Sequence, residues 1–235
     1  MRLINDLLES VRDFDCPVKR VCVGLHWTVV QSRFTGMAHT YKSGDHHELE
    51  SAGDFIGESA YELAQRLEST DKLEASLGLA ALNSMINASG RSGNIFEDIF
   101  RMVEGKNITV IGRFPLNDQI AKIADKSYFL EMEPEASELP ADACVEVIPK
   151  SDIVVITATA LINKTMPRLL ELSTAAKAKT FVLGPSTPMN EVLFSQGADY
   201  LGGVRVVDTK ALINGIMQGM KKFKTLPGIK AVMRP

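Results

Sequence analysis

The spacing of apolar side chains changes in character along residues 1–105. Over residues 3–14, apolar positions recur at helical spacing between charged ones, which predicts an amphipathic helix packed on a core. Residues 18–42 are instead rich in β-branched and aromatic side chains and are interrupted by Gly24 and Gly36. That pattern predicts two or three short antiparallel strands. Three helical patterns follow, over residues 58–68, 71–88 and 94–103.

The remainder of the chain alternates between short apolar runs and helical patterns. The runs at 153–156 and 181–183 are continuously apolar, as expected of parallel strands covered on both faces. Strands are predicted at 107–112, 127–132, 152–157, 180–184 and 199–204, and helices at 116–124, 141–148, 166–176, 188–195 and 209–220. The alternation predicts a doubly wound α/β domain. We place the boundary near Gly105, between an α+β domain over 1–105 and an α/β domain over 106–235.

Composition and charge narrow the functional classes. Hydrophobic residues make up 45% of the 235 residues, which is enough for a globular core. Lysine and arginine number 26 against 29 aspartates and glutamates, so the net charge of -3 provides no basic field for nucleic acid. Cys16, Cys22 and Cys144 form no CxxC pair, and no apolar run approaches the roughly 20 residues of a membrane span. We expect a cytoplasmic protein without nucleic-acid or membrane partners; a homodimer is the default expectation.

Candidate ligand-binding residues follow the predicted parallel strands, because ligands of open parallel sheets bind beyond the carboxyl ends of the strands. The loops there contain glycines, hydroxyls and one arginine, and the candidates are Gly112, Arg113, Phe114, Pro115, Thr157, Thr159, Asn163, Thr165, Gly184, Pro185, Ser186 and Thr187. Arg113 would pair with an anionic group, while Ser186 and Thr187 would hold an oxyanion. The threonines of the third loop and Asn163 would orient a ring. Alternatively, residues 184–188 form only a rigid turn in which Thr187 caps the next helix.

Glu131 ends the second predicted strand, 19 residues after Gly112. An acidic residue at this position binds a ribose hydroxyl in nucleotide-binding sheets. The alternative is an ordinary exposed acid. No GxGxxG motif follows the first strand, which disfavours a dinucleotide redox enzyme.

Two asparagines interrupt the apolar helix predicted at 71–88. Asn83 and Asn87 are four residues apart, so they would share one side of that helix. Buried amides need hydrogen-bond partners. These two would either bind loop backbone between the domains or close a ligand pocket from the side of the first domain.

The histidines suggest a different function. His26, His39, His46 and His47 lie within 22 residues, close to Cys16 and Cys22 in sequence, and such side chains bind soft and borderline metals. No CxxC, HxH or HExxH spacing is present, and adjacent histidines in a polar loop are commonly solvated surface. A direct metal-binding protein is therefore kept as an alternative. The absence of a GxSxG motif leaves no marked nucleophile.

Five strings together resemble a prokaryotic family of unknown function that is described as "putative heavy-metal chelation". They are GLAALNSMIN (78–87), VIGRFP (110–115), ELPADACVEVIPKSDIVVITATALINKT (138–165), FVLGPSTPMNEVLFSQGADYLGG (181–203) and VRVVD (204–208). The resemblance implies a small α+β domain similar to the enolase N-terminal fold, followed by a Rossmann-like domain. It also implies an interdomain cleft for a flavin-, pterin- or siderophore-like molecule. Ala158 and Lys164 depart from the family pattern, in which glycines are expected.

These observations lead to one main expectation and two alternatives. We expect binding of a small polar or heterocyclic ligand in the interdomain cleft, with its condensation or hydrolysis as candidate reactions. Whether the protein is an enzyme, and with which cofactor, is left open. The alternatives are direct metal binding by histidine and cysteine, and a nucleotide- or S-adenosylmethionine-dependent enzyme that such a cofactor would stabilise thermally.

Overall fold

The structure is a computed structural model that describes residues 2–41, 48–115 and 117–235. Within these ranges the strands form a three-stranded sheet and an eight-stranded sheet. The small sheet is an antiparallel meander of β1 (Arg20–Val23), β2 (Trp27–Gln31) and β3 (Thr35–His39). Packed with it are α1 (Arg2–Glu9), α2 (Ala60–Gln65) and α3 (Lys72–Met85). We call these elements the small-sheet part; the predicted meander and helices are confirmed.

Helix α3 lies directly against the small sheet. Gly36 permits this contact, since a Cβ there would lie 2.2 Å from the carbonyl oxygen of Ala80 and 2.3 Å from the backbone nitrogen of Ser84. The hydroxyls of Ser32 and Ser84 form a hydrogen bond of 2.5 Å across the same contact. The helix is consequently buried on nearly every side, as its apolar sequence predicts.

The large sheet has the order β4-β11-β10-β9-β8-β5-β6-β7. Its strands are β4 (Arg91–Ser92), β5 (Asn107–Ile111), β6 (Lys126–Glu131), β7 (Leu139–Pro140), β8 (Ile153–Thr157), β9 (Lys179–Leu183), β10 (Tyr200–Val206) and β11 (Ile229–Arg234). The helices are α4 (Ile95–Val103), α5 (Asn117–Ile123), α6 (Cys144–Val147), α7 (Met166–Ala175), α8 (Glu191–Ser195) and α9 (Thr209–Met217). We call these elements the large-sheet part.

The run of strands from β5 to β10 is parallel and forms a doubly wound sheet. Numbered along the chain from β5, these strands have the spatial order 3-2-1-4-5-6. The order reverses between β5 and β8, and this topological switch point is where such sheets open a crevice for ligands. The antiparallel pair β10–β11 and the short β4 close the opposite edge.

Both faces of the large sheet are covered. Ile108 and Val110 of β5 share a buried cluster with residues of α4 and α5. Val154 and Ile156 of β8 belong to a second cluster, which includes α7 and continues into helices α1 and α3 of the small-sheet part. The two parts are therefore joined by apolar packing. No helix in residues 2–41, 48–115 and 117–235 is long and apolar enough to cross a membrane.

Among the predicted helix boundaries that differ from the structure, two affect candidate site residues. Helix α3 ends at Met85, and Ile86 is already extended, so Asn87 lies beyond the helix and shares no helical face with Asn83. Helix α8 begins at Glu191, and its N-cap is Asn190, whose side chain accepts a hydrogen bond from the backbone N–H of Val192. Thr187 is therefore not the capping residue.

Three strands of the large sheet escaped prediction. β4 and β7 have two residues each, too few for a visible pattern, and β11 follows the last element that was predicted. The division of the chain at residue 105 stays a prediction. Two elements that precede it, β4 and α4, already pack with the large sheet.

Candidate functional site

The loop after β9 is closed against the small-sheet part. Ser186 and Thr187 are only 2% and 4% exposed. The Ser186 hydroxyl oxygen accepts a hydrogen bond of 2.9 Å from the backbone N–H of His39, and the Thr187 hydroxyl donates to the carbonyl oxygen of Gly184 at 2.7 Å. Both hydroxyls are thus buried and bonded within the protein. Their proposed role in holding an oxyanion stays a prediction that would require this loop to open.

Asn83 fastens the same loop to the small sheet. Its Nδ2 donates to the carbonyl oxygens of Met37 at 3.1 Å and Ser186 at 3.0 Å. The cavity beside it, which Pro185 also lines, measures about 10 Å³, room for about one water molecule. Asn87 is exposed and lines a different cavity. The structure therefore brings Asn83 to the interface between the parts but does not bring Asn87 to the same place.

The rest of the carboxyl edge surrounds the switch point. Gly112 has φ +104°, and a Cβ there would lie 2.8 Å from the Cβ of Thr157, so glycine is needed for the ends of β5 and β8 to meet this closely. The hydroxyls of Thr157 and Thr159 lie 3.0 Å apart. Thr157 also accepts a hydrogen bond of 3.4 Å from the backbone N–H of Thr159. These two half-buried hydroxyls are held side by side at the crevice.

Asn163 connects this edge to the small-sheet part. Its backbone N–H donates to the carbonyl oxygen of Thr159 at 3.1 Å, and its Nδ2 lies 3.2 Å from the hydroxyl of Tyr41. In the part of the chain that the structure describes, the buried Oδ1 of Asn163 has no hydrogen-bond partner. A buried acceptor without a donor costs about 1–3 kcal/mol, so a donor from water or a ligand would stabilise it.

Tyr41 is a residue of the candidate site that no local sequence pattern identified. It comes two residues after β3, in no motif, and only the packing of the two parts brings it to Asn163. Its ring packs edge-on against His39, with centroids 5.2 Å apart, and the Lys72 Nζ lies 5.5 Å from its centre. These neighbours hold the Tyr41 ring in place.

Glu131 lies on the other side of the switch point. It is half-buried at the end of β6, next to Gly112, whose backbone N–H donates to the carbonyl oxygen of Leu130 at 3.0 Å. Burial raises the pKa of the Glu131 carboxyl, and the positive charge of Arg113 opposes this rise. A carboxylate accepts hydrogen bonds from hydroxyl and amino groups, and a raised pKa brings a carboxyl closer to the range for proton transfer near neutral pH. Contact of Glu131 with a ligand stays a prediction.

Arg113 is already paired with acids. Its Nε and Nη2 contact the two carboxylate oxygens of Glu138 at 2.8 and 2.6 Å, and its Nη2 lies 3.3 Å from Glu135. This pairing lowers the pKa of Glu138 to about 2 and raises the pKa of Arg113. The predicted contact of Arg113 with an anionic ligand would have to compete with Glu138.

The other predicted residues take varied positions. Phe114 packs edge-on against Phe96, with ring centroids 5.9 Å apart, and Pro115 is exposed. Thr165 Oγ1 is 3.5 Å from the carbonyl oxygen of Ala160. Lys164, where the resemblance led us to expect glycine, has φ +62° and donates through Nζ to the carbonyl oxygen of Leu67 in the small-sheet part. Lys164 therefore links the two parts.

The histidines that the structure describes, His26 and His39, belong to no cluster of metal-binding side chains. His39 is half-buried, edge-on to Trp27 with ring centroids 5.7 Å apart; burial, then the charges of His26 and Lys221, lower its pKa. Among residues 2–41, 48–115 and 117–235, no group of three or more histidine, cysteine, aspartate or glutamate side chains could hold a metal ion. His46 and His47 lie outside the described residues.

The fold defines a mixed α/β protein with a Rossmann-like sheet and a separate small sheet. The DUF364 family model, described as "putative heavy-metal chelation", matches residues 94–232, and the DUF4213 model, with the same description, matches residues 4–86. The chain belongs to this DUF364 family. The resemblance found in the sequence is thereby confirmed.

Solved structures agree with this assignment. A DUF364 protein of unknown function from Desulfitobacterium hafniense DCB-2 matches with a TM-score of 0.87 and 26% identity, over 99% of this chain and 96% of that one. A second, from Pyrococcus horikoshii, has a TM-score of 0.81 and 19% identity, over 99% of this chain and 98% of that one, and shows the shared fold. No curated protein matches the chain.

Proposed function

We propose that this protein binds a small polar or heterocyclic ligand rich in hydrogen-bond donors, of the pterin, flavin or siderophore type, in the crevice at the switch point. The observation that carries this proposal is the buried Oδ1 of Asn163, which lacks a donor within the described part of the chain. A ring amino or imino group would supply one.

A chain of contacts makes the crevice a single site. From β6 it passes through Gly112 to Thr157 and Thr159, then through Asn163 to Tyr41. We call the side chains along it, together with Glu131, the crevice residues. Apart from the Asn163 Nδ2, their polar atoms are carboxylate, amide and hydroxyl oxygens, which suit a ligand with several N–H or O–H groups.

The acidic loop after β6 influences which ligand is accepted. Glu131, Glu135 and Glu138 surround Arg113, so the acids outnumber the one guanidinium. A neutral or cationic ligand, including a chelator that carries a metal cation, fits this field better than a free anion. Handling of metal as a chelate would agree with the family description.

Chemistry on the ligand would fall to Glu131. Condensation and hydrolysis both need a group that takes up and releases a proton near neutral pH. A carboxyl whose pKa is raised by burial is closer to that range than an exposed one.

A nucleoside or S-adenosylmethionine is the second candidate. It is favoured by the strand order 3-2-1-4-5-6 and by the position of Glu131 at the end of β6, where an acid binds ribose hydroxyls in nucleotide-binding sheets.

A thermal-shift and calorimetry screen tests both candidates. Pterin, riboflavin, desferrioxamine with and without Fe(III), adenosine and S-adenosylmethionine serve as probes. A binder at 100 times its dissociation constant should stabilise the protein by about 2.7 kcal/mol. Asn163→Ala should weaken that binding, whereas Asn214→Ala, on the exposed side of α9, should leave it unchanged. If no probe binds, or if both variants bind as the wild type does, the proposal is wrong.

A further inference from the structure

A second cavity lies away from the switch-point crevice. It measures about 230 Å³ and is lined where α1 and α3 end, by the turn between β2 and β3, and by the N-cap of α8. Its lining includes Phe14, Arg33, Phe34, Ile86, Asn87 and Asn190. Most of this surface is apolar, and nothing in the proposed function uses it.

One cation lies at this cavity. The guanidinium carbon of Arg33 is 4.9 Å from the centre of the Phe14 ring and 5.9 Å from that of Phe34. The two rings are 44% and 37% exposed, unusually open for phenylalanine. Within the part of the chain that the structure describes, Arg33 pairs with no carboxylate, and the lining contains no aspartate or glutamate.

The carbonyl groups at the helix ends beside the cavity do not bind the Arg33 guanidinium. The last carbonyls of a helix carry partial negative charge and could attract Arg33. Those of α1 already accept hydrogen bonds, Leu7 from the Ser10 hydroxyl and Leu8 from the Val11 N–H. At the end of α3, the Ser84 carbonyl accepts from the Phe34 N–H. Among the residues that the structure describes, Arg33 itself donates no hydrogen bond and forms no ion pair, so its N–H groups stay available to a ligand.

We propose that this cavity binds a small carboxylic acid with an aromatic body. The carboxylate would pair with the Arg33 guanidinium, and the ring would pack on Phe14, Phe34 and Ile86. The exposed Asn87 amide, which has no hydrogen bond from its side chain in the described part, adds a donor at the rim. A volume of about 230 Å³ holds a one-ring acid but is below the usual range of drug-sized sites.

Benzoate is the probe, titrated into the full-length protein by ligand-observed NMR and calorimetry. A charge-assisted, bidentate contact contributes about tenfold or more to affinity. Arg33→Gln should therefore weaken benzoate binding at least about tenfold, and Arg33→Lys should weaken it less. Arg205→Gln, an exposed arginine of β10, is the matched control and should bind as the wild type does.

Neutral benzamide should bind the wild type at least about tenfold more weakly than benzoate does, and Arg33→Gln should abolish this preference. Melting temperatures of all variants check that they are folded. The proposal is overturned if benzoate shows no saturable binding up to about 10 mM. It is equally overturned if wild type and Arg33→Gln bind benzoate with the same affinity. Neither result bears on the crevice at Asn163, which the thermal-shift and calorimetry screen tests separately.

Discussion

Replacing Asn83 with alanine should loosen the contact between the small-sheet part and the loop after β9. The substitution removes two hydrogen bonds between neutral groups, to the carbonyl oxygens of Met37 at 3.1 Å and Ser186 at 3.0 Å. Each such bond contributes about 1 kcal/mol net, so we expect the free energy of unfolding to fall by about 2 kcal/mol. In a chain of this length that corresponds to a decrease of about 4–8 °C in melting temperature.

Asn87→Ala is the matched control. Asn87 is exposed, and its side chain makes no hydrogen bond in the part of the chain that the structure describes, so its loss should change stability by less than about 0.5 kcal/mol. Urea unfolding followed by tryptophan fluorescence is the assay. The single tryptophan, Trp27, donates through Nε1 to the carbonyl oxygen of Lys221 at 3.0 Å and thus reports on the contact between the parts. Equal losses in the two variants, or no loss at Asn83, would refute the reasoning.

Three further predictions concern the crevice and its surroundings. Gly112→Ala should lower the free energy of unfolding by more than about 2 kcal/mol, because Gly112 has a φ of +104° and a Cβ there would contact Thr157. Adding Thr157→Gly should restore only the part of this loss that comes from the contact, as measured by denaturant titration. Arg113 holds the pKa of Glu138 at about 2, so this pair stabilises the fold at pH values above the usual pKa of a carboxyl group. That stability is lost as pH falls toward 2; Glu138→Gln should flatten an acid titration of melting temperature. Because the pKa of His39 is lowered in the folded protein, the free energy of unfolding falls as the pH drops below about 6.5. His39→Gln should reduce the slope of stability against pH between about pH 7 and 5. An unchanged slope would contradict the assignment.

Much of the architecture was predictable because local patterns agree with tertiary packing. The mostly apolar strands β5, β8 and β9 are buried on both faces, and the strands of residues 18–42 form the expected meander. The ends of elements were harder, because single residues decide them. Asn190 rather than Thr187 caps α8, and the extended Ile86 ends α3 before Asn87.

The candidate site was predictable only as a list of loops. The sequence places Thr157 at the end of one predicted strand and Ser186 in the loop after the next, yet the small-sheet part buries Ser186 and leaves Thr157 beside the crevice. Contacts distant in sequence decide this difference. Tyr41 reaches Asn163 across 122 residues, and no local pattern encodes such a pairing. Likewise, Glu138 pairs with Arg113 only because the acidic loop folds back over the end of β5.

The most direct test of the crevice is an NMR titration of protein labelled with ¹⁵N-asparagine. The side-chain amide of Asn163 is assigned from the spectrum of Asn163→Ala, and pterin is then added. The proposed function predicts that the Asn163 amide signal shifts saturably while the Asn83 amide, fixed by two carbonyls, stays in place. A saturable pterin shift confined to Asn87 and Asn190, or an Asn163 signal that never moves with any of the screened probes, would contradict it.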